Sequence, residues 1–334
     1  MGIVAGFKHQ QGFHCESTAI RNVLVHAGLD ISEEMVIGLG EGLGFIIWQM
    51  KQMPVPFVGG GVKQAQKVET LGRNLGITVE RFESTSVKKA TTYIKTHIDD
   101  TRPLGAQVDM YYLPYFEDYD FHFAGHFVTL VGYDAQNVYV VDTDRPDTYS
   151  VPWDLYNKAA YPPEKVPMKG KRFMFSYAGV DSVKAYEEVI PIAIQNNANA
   201  MLNPPIKNIG VKGIHKFANE VQTWDETQPQ VQQALSEFHL MSEEAGSGGG
   251  LFRKPYTRFL QQAYTLTDNP PYQEASLLFE EIHPKWTETA ILAKEGAELE
   301  TKKLKSTLRN LSENLNNIAD LEEQAYRLLL ENEV

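Results

Sequence analysis

The one thiol of the chain, Cys15, stands at the head of a run whose apolar positions Ala19, Ile20, Val23, Leu24 and Ala27 keep helical spacing, so it opens a helix. A thiol in a first turn faces unpaired backbone N–H groups and the positive end of the helix dipole, and both favour the thiolate. The same N–H groups can receive the negative charge of a tetrahedral intermediate. Gln10 or Gln11, a few residues upstream, could add a side-chain amide to that oxyanion hole. A cysteine nucleophile also needs a base, and the base needs an acceptor that fixes its tautomer. Two β-rich runs, Phe127 to Tyr133 and Val138 to Val141, flank the polar turn Asp134-Ala-Gln-Asn137 and read as a hairpin. His126 precedes the first strand and Asp142 follows the second, so antiparallel pairing brings them to one end. Asp144 competes with Asp142 for the orienting role.

Other constellations carry weaker chemistry. Gly248, Gly249 and Gly250, with Arg253 and Lys254 just beyond, could hold a phosphate such as that of phosphopantetheine on backbone N–H groups; the alternative is a flexible hinge. Lys254 stands at the wrong distance for a Walker loop and lacks the adjoining Ser or Thr, which disfavours nucleotide binding. His122 and His126 are four apart, but the aromatic surroundings and the strand that follows argue against a helix, and no third ligand is evident, so no metal site is read. Tyr111, Tyr112, Tyr115 and Tyr119, with Glu117, Asp118 and Asp120, could clasp a polyamine or amino sugar through cation–π and carboxylate contacts, or form a solvated loop. His9 and His14 flank the cysteine and could line its pocket.

These groups must be positioned by a chain of 334 residues, long enough for two cores. A helix is expected from Ser32, another from about Lys63 to Leu75, and a strand at Ile77 to Phe82, so the first part is mixed α and β. Beyond about residue 180 the β pattern fades, and Val231 to Met241, Tyr256 to Tyr264 and Thr287 to Leu330 read as helices, with Asn196 to Asn208 as a loop. The expected class is therefore α+β, with units 1–180 and 181–334. Leu304, Leu308, Leu311, Leu315 and Ile318 form one apolar stripe, to be buried in its own domain or in a homo-oligomer. Lys302, Lys303, Lys305 and Arg309 on the same stretch could meet an acidic carrier protein, or be a solvated face.

With 31 basic and 43 acidic residues, net -12, the chain has no general attraction for nucleic acid or anionic lipid. A single cysteine permits no internal disulfide, no run approaches the ~20 apolar residues of a membrane span, and the first residues lack a secretion pattern, so a cytoplasmic protein is expected.

The runs His14-Cys-Glu-Ser-Thr-Ala19, Gly125-His-Phe-Val128 leading into Val131-Gly-Tyr133, and Val141-Asp142 resemble the N-terminal domain of the butirosin biosynthesis protein H family. That domain is similar in turn to papain-like cysteine peptidases. The glycine block through Arg253, with Tyr256, Phe259 and Leu260 after it, resembles the helical domain that follows in this family. The resemblance implies a papain-like N-terminal domain and a cysteine acyltransferase. Cys15 would take an aminoacyl group from an acyl carrier protein, His126 would relay protons, Asp142 would orient His126, and a small amine would accept. The phosphopantetheine would come with the carrier, so no cofactor of the chain's own is implied. Glu16 follows the cysteine where the peptidases usually have glycine. A papain-like hydrolase and a non-catalytic binding module with an inert Cys15 are the rival readings.

Overall fold

The computed structural model describes residues 2–49, 55–116, 120–225 and 227–331. Along the chain the elements are β1 (Gly2–Ile3), α1 (Cys15–His26), α2 (Glu33–Leu39), β2 (Leu43–Trp48), β3 (Phe57–Gly61), α3 (Gln66–Leu75), β4 (Thr78–Phe82), α4 (Val87–Asp99) and β5 (Leu104–Val108). They continue with β6 (His126–Tyr133), β7 (Asn137–Asp142), β8 (Arg145–Pro152), α5 (Trp153–Ala160) and β9 (Met174–Ala178). The remainder is helical: α6 (Tyr186–Leu202), α7 (Gly210–Val221), α8 (Pro229–His239), α9 (Arg253–Thr267), α10 (Pro270–Ala297) and α11 (Thr301–Glu331). Fold class is thus mixed helix and sheet with a helical C-terminal region.

Two compact units divide the chain, Met1–Val36 with Gln64–Lys184 and Ile37–Lys63 with Ala185–Val334. A single boundary near residue 180 describes only one of the crossings, because the segment 37–63 folds with the helices. Its β2–β3 hairpin is tied there by Asn197 Nδ2 donating to the Leu43 carbonyl at 2.7 Å and Asn208 Nδ2 to the Ile47 carbonyl at 2.8 Å. Phe45 packs against Phe217 and Trp286 in the same unit. Of the expected loop 196–208 only 203–208 is one, because α6 runs through Asn196 and Asn197 to Leu202.

In the first unit an antiparallel sheet has the order β4-β9-β5-β6-β7-β8, with β1 added beside β6. One face buries Val128, Leu130, Val138 and Val140 with Ile94 and Ile98 of α4 and Tyr156 and Ala159 of α5. The hairpin is β6–β7, with Thr129 opposite Val141, and its His126 and Asp142 fall at the same end.

In the helical unit, the stretch from Thr287 to Leu330 is two helices broken at 298–300, and α10 begins well upstream at Pro270. Leu304, Leu308, Leu311, Leu315 and Ile318 are all buried, and α11 packs against α6, α7 and α10. The apolar stripe is therefore covered by its own unit. Lys303, Lys305 and Arg309 are exposed, and the Lys302 side chain lies outside the described ones.

Candidate functional site

Cys15 is the first residue of α1, and His14 caps that helix in extended conformation, φ -125°. The cap is polar: Ser17 N donates to His14 Nδ1 at 3.2 Å, which stops the chain from continuing the helix backwards. Cys15 itself is partly exposed. The turn before it is held by Glu33, a buried carboxylate that gathers four donors. Phe13 N at 2.9 Å, His14 N at 3.0 Å, Ser17 Oγ at 2.7 Å and Thr18 Oγ1 at 3.1 Å all point at its two oxygens. Burial still raises the Glu33 carboxyl above its usual range, with those four bonds working the other way. Gly12 lets the chain pass this close, since a Cβ there would stand 2.2 Å from both Glu33 Oε2 and Thr18 Oγ1.

His126 is buried at the start of β6, and its Nε2 lies 2.8 Å from each oxygen of Asp142 at the end of β7. The carboxylate so fixes the proton on Nε2 and leaves Nδ1 for the thiol. Burial opposes the charged ring. The charge and hydrogen bonds of Asp142, joined by a hydrogen bond with Cys15, outweigh it and push His126 up to about 10. Asp142 shows the reciprocal effect: burial alone would raise its carboxyl, and the His126 charge and bond bring it below the usual range. Cys15, His126 and Asp142 are therefore brought together. The arrangement sets a thiol at a helix start against an imidazole held by a carboxylate, the parts a cysteine nucleophile needs.

Asp142 is itself held. Tyr115 donates its hydroxyl to Oδ2 at 2.8 Å and Thr143 Oγ1 donates to Oδ1 at 2.9 Å. Tyr115 stacks on Tyr149 at 4.2 Å, and Phe116 meets the His126 ring edge-on at 5.6 Å. Tyr115 was expected among the aromatic groups that could clasp an amine, but its hydroxyl is committed to Asp142. Of the same stretch, Glu117, Asp118 and Tyr119 lie outside the described residues. Glu33, Tyr115 and Thr143 are the supporting residues that sequence reasoning missed. Two adjacent acids at a helix start signal a dipole interaction, and nothing in the string says that one of them reaches back to the preceding turn.

Each of the two glutamines has its side-chain amide donating to a backbone carbonyl. Gln10 Nε2 donates to the Lys8 carbonyl at 3.2 Å, while its backbone N donates to Asn22 Oδ1 at 2.7 Å. Gln11 Nε2 donates to the Asp144 carbonyl at 2.7 Å, and Gly12 N donates to the Thr143 carbonyl at 3.0 Å. Those two bonds tie the approach to Cys15 to the turn that follows Asp142. Between Asp142 and Asp144, the former is the partner of His126. His9 has both ring nitrogens buried without a partner; burial lowers its pKa and the Asp142 charge partly opposes this. His14 is driven well below the usual imidazole range, first by burial and then by the charges of Lys67 and His126. Glu16, where a glycine is usual in the peptidases, turns inward to an ion pair with Lys67 of α3 at 2.7 Å. His122 and His126 do not share a face: one lies in a loop on Asp109 and the other on a strand on Asp142.

The expected phosphate cradle is corrected. Arg253 is fully buried and bidentate with Glu322, Nε to Oε1 at 2.7 Å and Nη2 to Oε2 at 2.9 Å. Trp286 Nε1 also donates to Glu322 Oε1 at 2.7 Å. Gly248, Gly249 and Gly250 all have positive φ and form a tight turn into α9. Its N–H groups are spent internally, Gly249 N on Ser247 Oγ at 3.1 Å and Gly250 N on Glu243 Oε1 at 3.0 Å. A carboxylate of the chain already occupies the place an anion would take.

No described helix is long and apolar enough to cross a membrane. The family described as "Butirosin biosynthesis protein H, N-terminal" matches residues 14–143, a span that begins one residue before Cys15 and ends one residue after Asp142. The family described as "Domain of unknown function (DUF4872)" matches residues 159–329. Among curated proteins none matches the chain significantly.

Proposed function

We propose, for a chain that belongs to the DUF4872 family and carries the N-terminal domain of butirosin biosynthesis protein H, a cysteine acyltransferase of antibiotic biosynthesis with a papain-like catalytic unit. The observation that carries the reading is Cys15 at a helix start beside a buried His126 whose Nε2 is held at 2.8 Å by both oxygens of Asp142.

In the first half-reaction the Cys15 thiolate attacks the carbonyl of a carrier-bound thioester. The new S–C bond forms, the carrier S–C bond breaks, and the departing thiolate takes the proton of His126 Nδ1. One thioester replaces another of similar energy, so the exchange needs orientation more than driving force. Backbone N–H groups of the first turn of α1 receive the transient oxyanion. In the second half-reaction an amine attacks the Cys15 thioester. Its nitrogen passes a proton to His126 Nδ1, the C–N bond forms, and Cys15 leaves as thiolate with His126 again imidazolium. Asp142 keeps the ring aimed throughout, and Tyr115 and Thr143 keep Asp142 in place. An acyl carrier protein is the donor and a small amine the acceptor in this reading.

Incubation with an acylated carrier protein, followed by intact-mass measurement, should give an adduct on Cys15 that hydroxylamine removes. An adduct that persists in Cys15→Ala sinks the proposal. Discharge of the adduct by water as fast as by added amine would make the protein a hydrolase instead.

A further inference from the structure

Cys15 and His126 each have a sequence neighbour tied to the entry of α3. On the imidazole side, Gln64 Nε2 donates to the carbonyl of Gly125, the residue before His126, at 3.0 Å. Glycine admits that approach, since a Cβ on residue 125 would stand 1.9 Å from the Gln64 nitrogen. On the thiol side, Glu16, the residue after Cys15, meets Lys67 Nζ at 2.7 Å, and both side chains are buried. Between Gln64 and Lys67 the chain turns into the helix through Ala65, which is left-handed at φ 61° and ψ -5°. An alanine adopts that conformation only where its surroundings impose it.

Stability alone is a poor account of these ties. A buried Lys–Glu pair contributes little net stability compared with well-packed apolar side chains of the same size. Here it is also incompletely satisfied, because Glu16 Oε1 lies buried with no hydrogen-bond partner among the described residues. Other bonds hold one member of the pair or act at a distance. Glu33 fixes the turn before Cys15, and Asp142 fixes the His126 ring. The direct side-chain bond from α1 to β6, Asn22 Nδ2 to Thr129 Oγ1 at 3.3 Å, lies seven residues beyond Cys15 and three beyond His126. It sets the helix on the strand and leaves the first turn of α1 to be placed by something nearer.

We propose that Gln64 and Lys67 are positioning residues, which together fix the separation and orientation of Cys15 and His126. One short stretch of chain holds the residue beside the thiol and the residue beside the imidazole, so neither group shifts without displacing the entry of α3. Glu16, where the peptidases have glycine, is then the anchor of the nucleophile's helix. The inference rests on Cys15 as the nucleophile and holds for a transferase and a hydrolase alike.

Two rates measured on the full chain at neutral pH test the ties: alkylation of Cys15 by iodoacetamide, which involves no acyl chemistry, and acylation of Cys15 by the acetyl thioester of N-acetylcysteamine. Gln64→Met keeps the side chain's length and loses the donor. It should slow both rates about tenfold, and in acylation the maximal rate should fall while KM stays. Glu16→Leu combined with Lys67→Met replaces the ion pair by apolar side chains, a change that leaves the fold stable, and should show the same deficit. Adding Gln64→Met to that protein should slow it little further, because one tie without the other already frees the separation. Lys67→Arg keeps the cation and should hold the native rates. Tyr177→Phe removes a bond of 3.1 Å to the Val68 carbonyl of the same helix; it should lower the melting temperature and leave both rates unchanged. Native rates in Gln64→Met, or rates that fall in Tyr177→Phe as they do in Gln64→Met, overturn the positioning role. A native Cys15 alkylated no faster than the thiol of glutathione overturns the nucleophile reading instead.

Discussion

Replacing Asp142 with asparagine keeps the side chain's size, leaves one oxygen for either Tyr115 or Thr143, and removes the charge beside His126. In the native protein burial works against the imidazolium, and the carboxylate, with Cys15 adding to it, carries the ring up to about 10. Without that charge burial dominates, and the ring falls to or below its ordinary ~6.5. The difference of about 3.5 pH units corresponds to at most ~5 kcal/mol of preference for the protonated ring. At pH 8 a group titrating near 10 is protonated in ~99 % of molecules, and one at 6.5 in ~3 %. Acylation that proceeds through the imidazolium–thiolate pair should therefore fall at least ~30-fold at pH 8 and only ~4-fold at pH 7 by ionisation alone. Two assays read this: the imidazole resonance of His126 followed through a pH titration, and the rate of adduct formation on Cys15 at each pH. The same shift sets stability. A folded-state pKa raised above the unfolded value gives a contribution that is complete below about pH 6.5 and lost as pH rises through about 10. The melting-temperature gap between native and variant should accordingly be widest near pH 6 and close towards pH 10. A native His126 that titrates near 6.5, or a rate deficit equal at the two pH values, would refute the reasoning.

Three further perturbations test the supporting structure. Gly12→Ala places a methyl against the Glu33 carboxylate and Thr18; urea unfolding should show a loss of about 1–3 kcal/mol, and adduct formation on Cys15 should slow because the turn before it is displaced. Tyr115→Phe removes one hydroxyl from Asp142 and should cost about 1 kcal/mol in denaturant unfolding, with a fall in acylation below about tenfold and the His126–Asp142 pair intact. Arg253→Met leaves Glu322 buried without its cation, so the protein should lose about 3–5 kcal/mol, and Arg253→Met combined with Glu322→Leu should regain much of it. A stable Arg253→Met protein would return Arg253 to the role of a ligand contact.

The candidate site was legible because its parts sit at element boundaries that the sequence marks. Helical spacing of the apolar residues put Cys15 at a first turn, and α1 begins there. The polar turn at 134–137 between two β-rich runs put His126 and Asp142 at one end of a hairpin, and β6–β7 has that pairing. The family resemblance rested on the same short blocks. The phosphate reading failed for a related reason: glycines and a nearby arginine look alike as an anion cradle and as a tight turn over a buried ion pair. What separates the two is Glu243 and Glu322, one a few residues before the glycines and the other far beyond them in the chain.

Local order along the chain thus placed the start of α1 and the β6–β7 hairpin, and from that the order of thiol, imidazole and carboxylate. Tertiary structure alone decided who supports them. Glu33 gathers donors on 13–18, Tyr115 reaches across to Asp142, and Asn197 draws the β2–β3 hairpin into the helical unit. Hydrogen bonds between groups far apart in sequence depend on where the backbone has already been placed, and helical or strand periodicity carries no record of that placement.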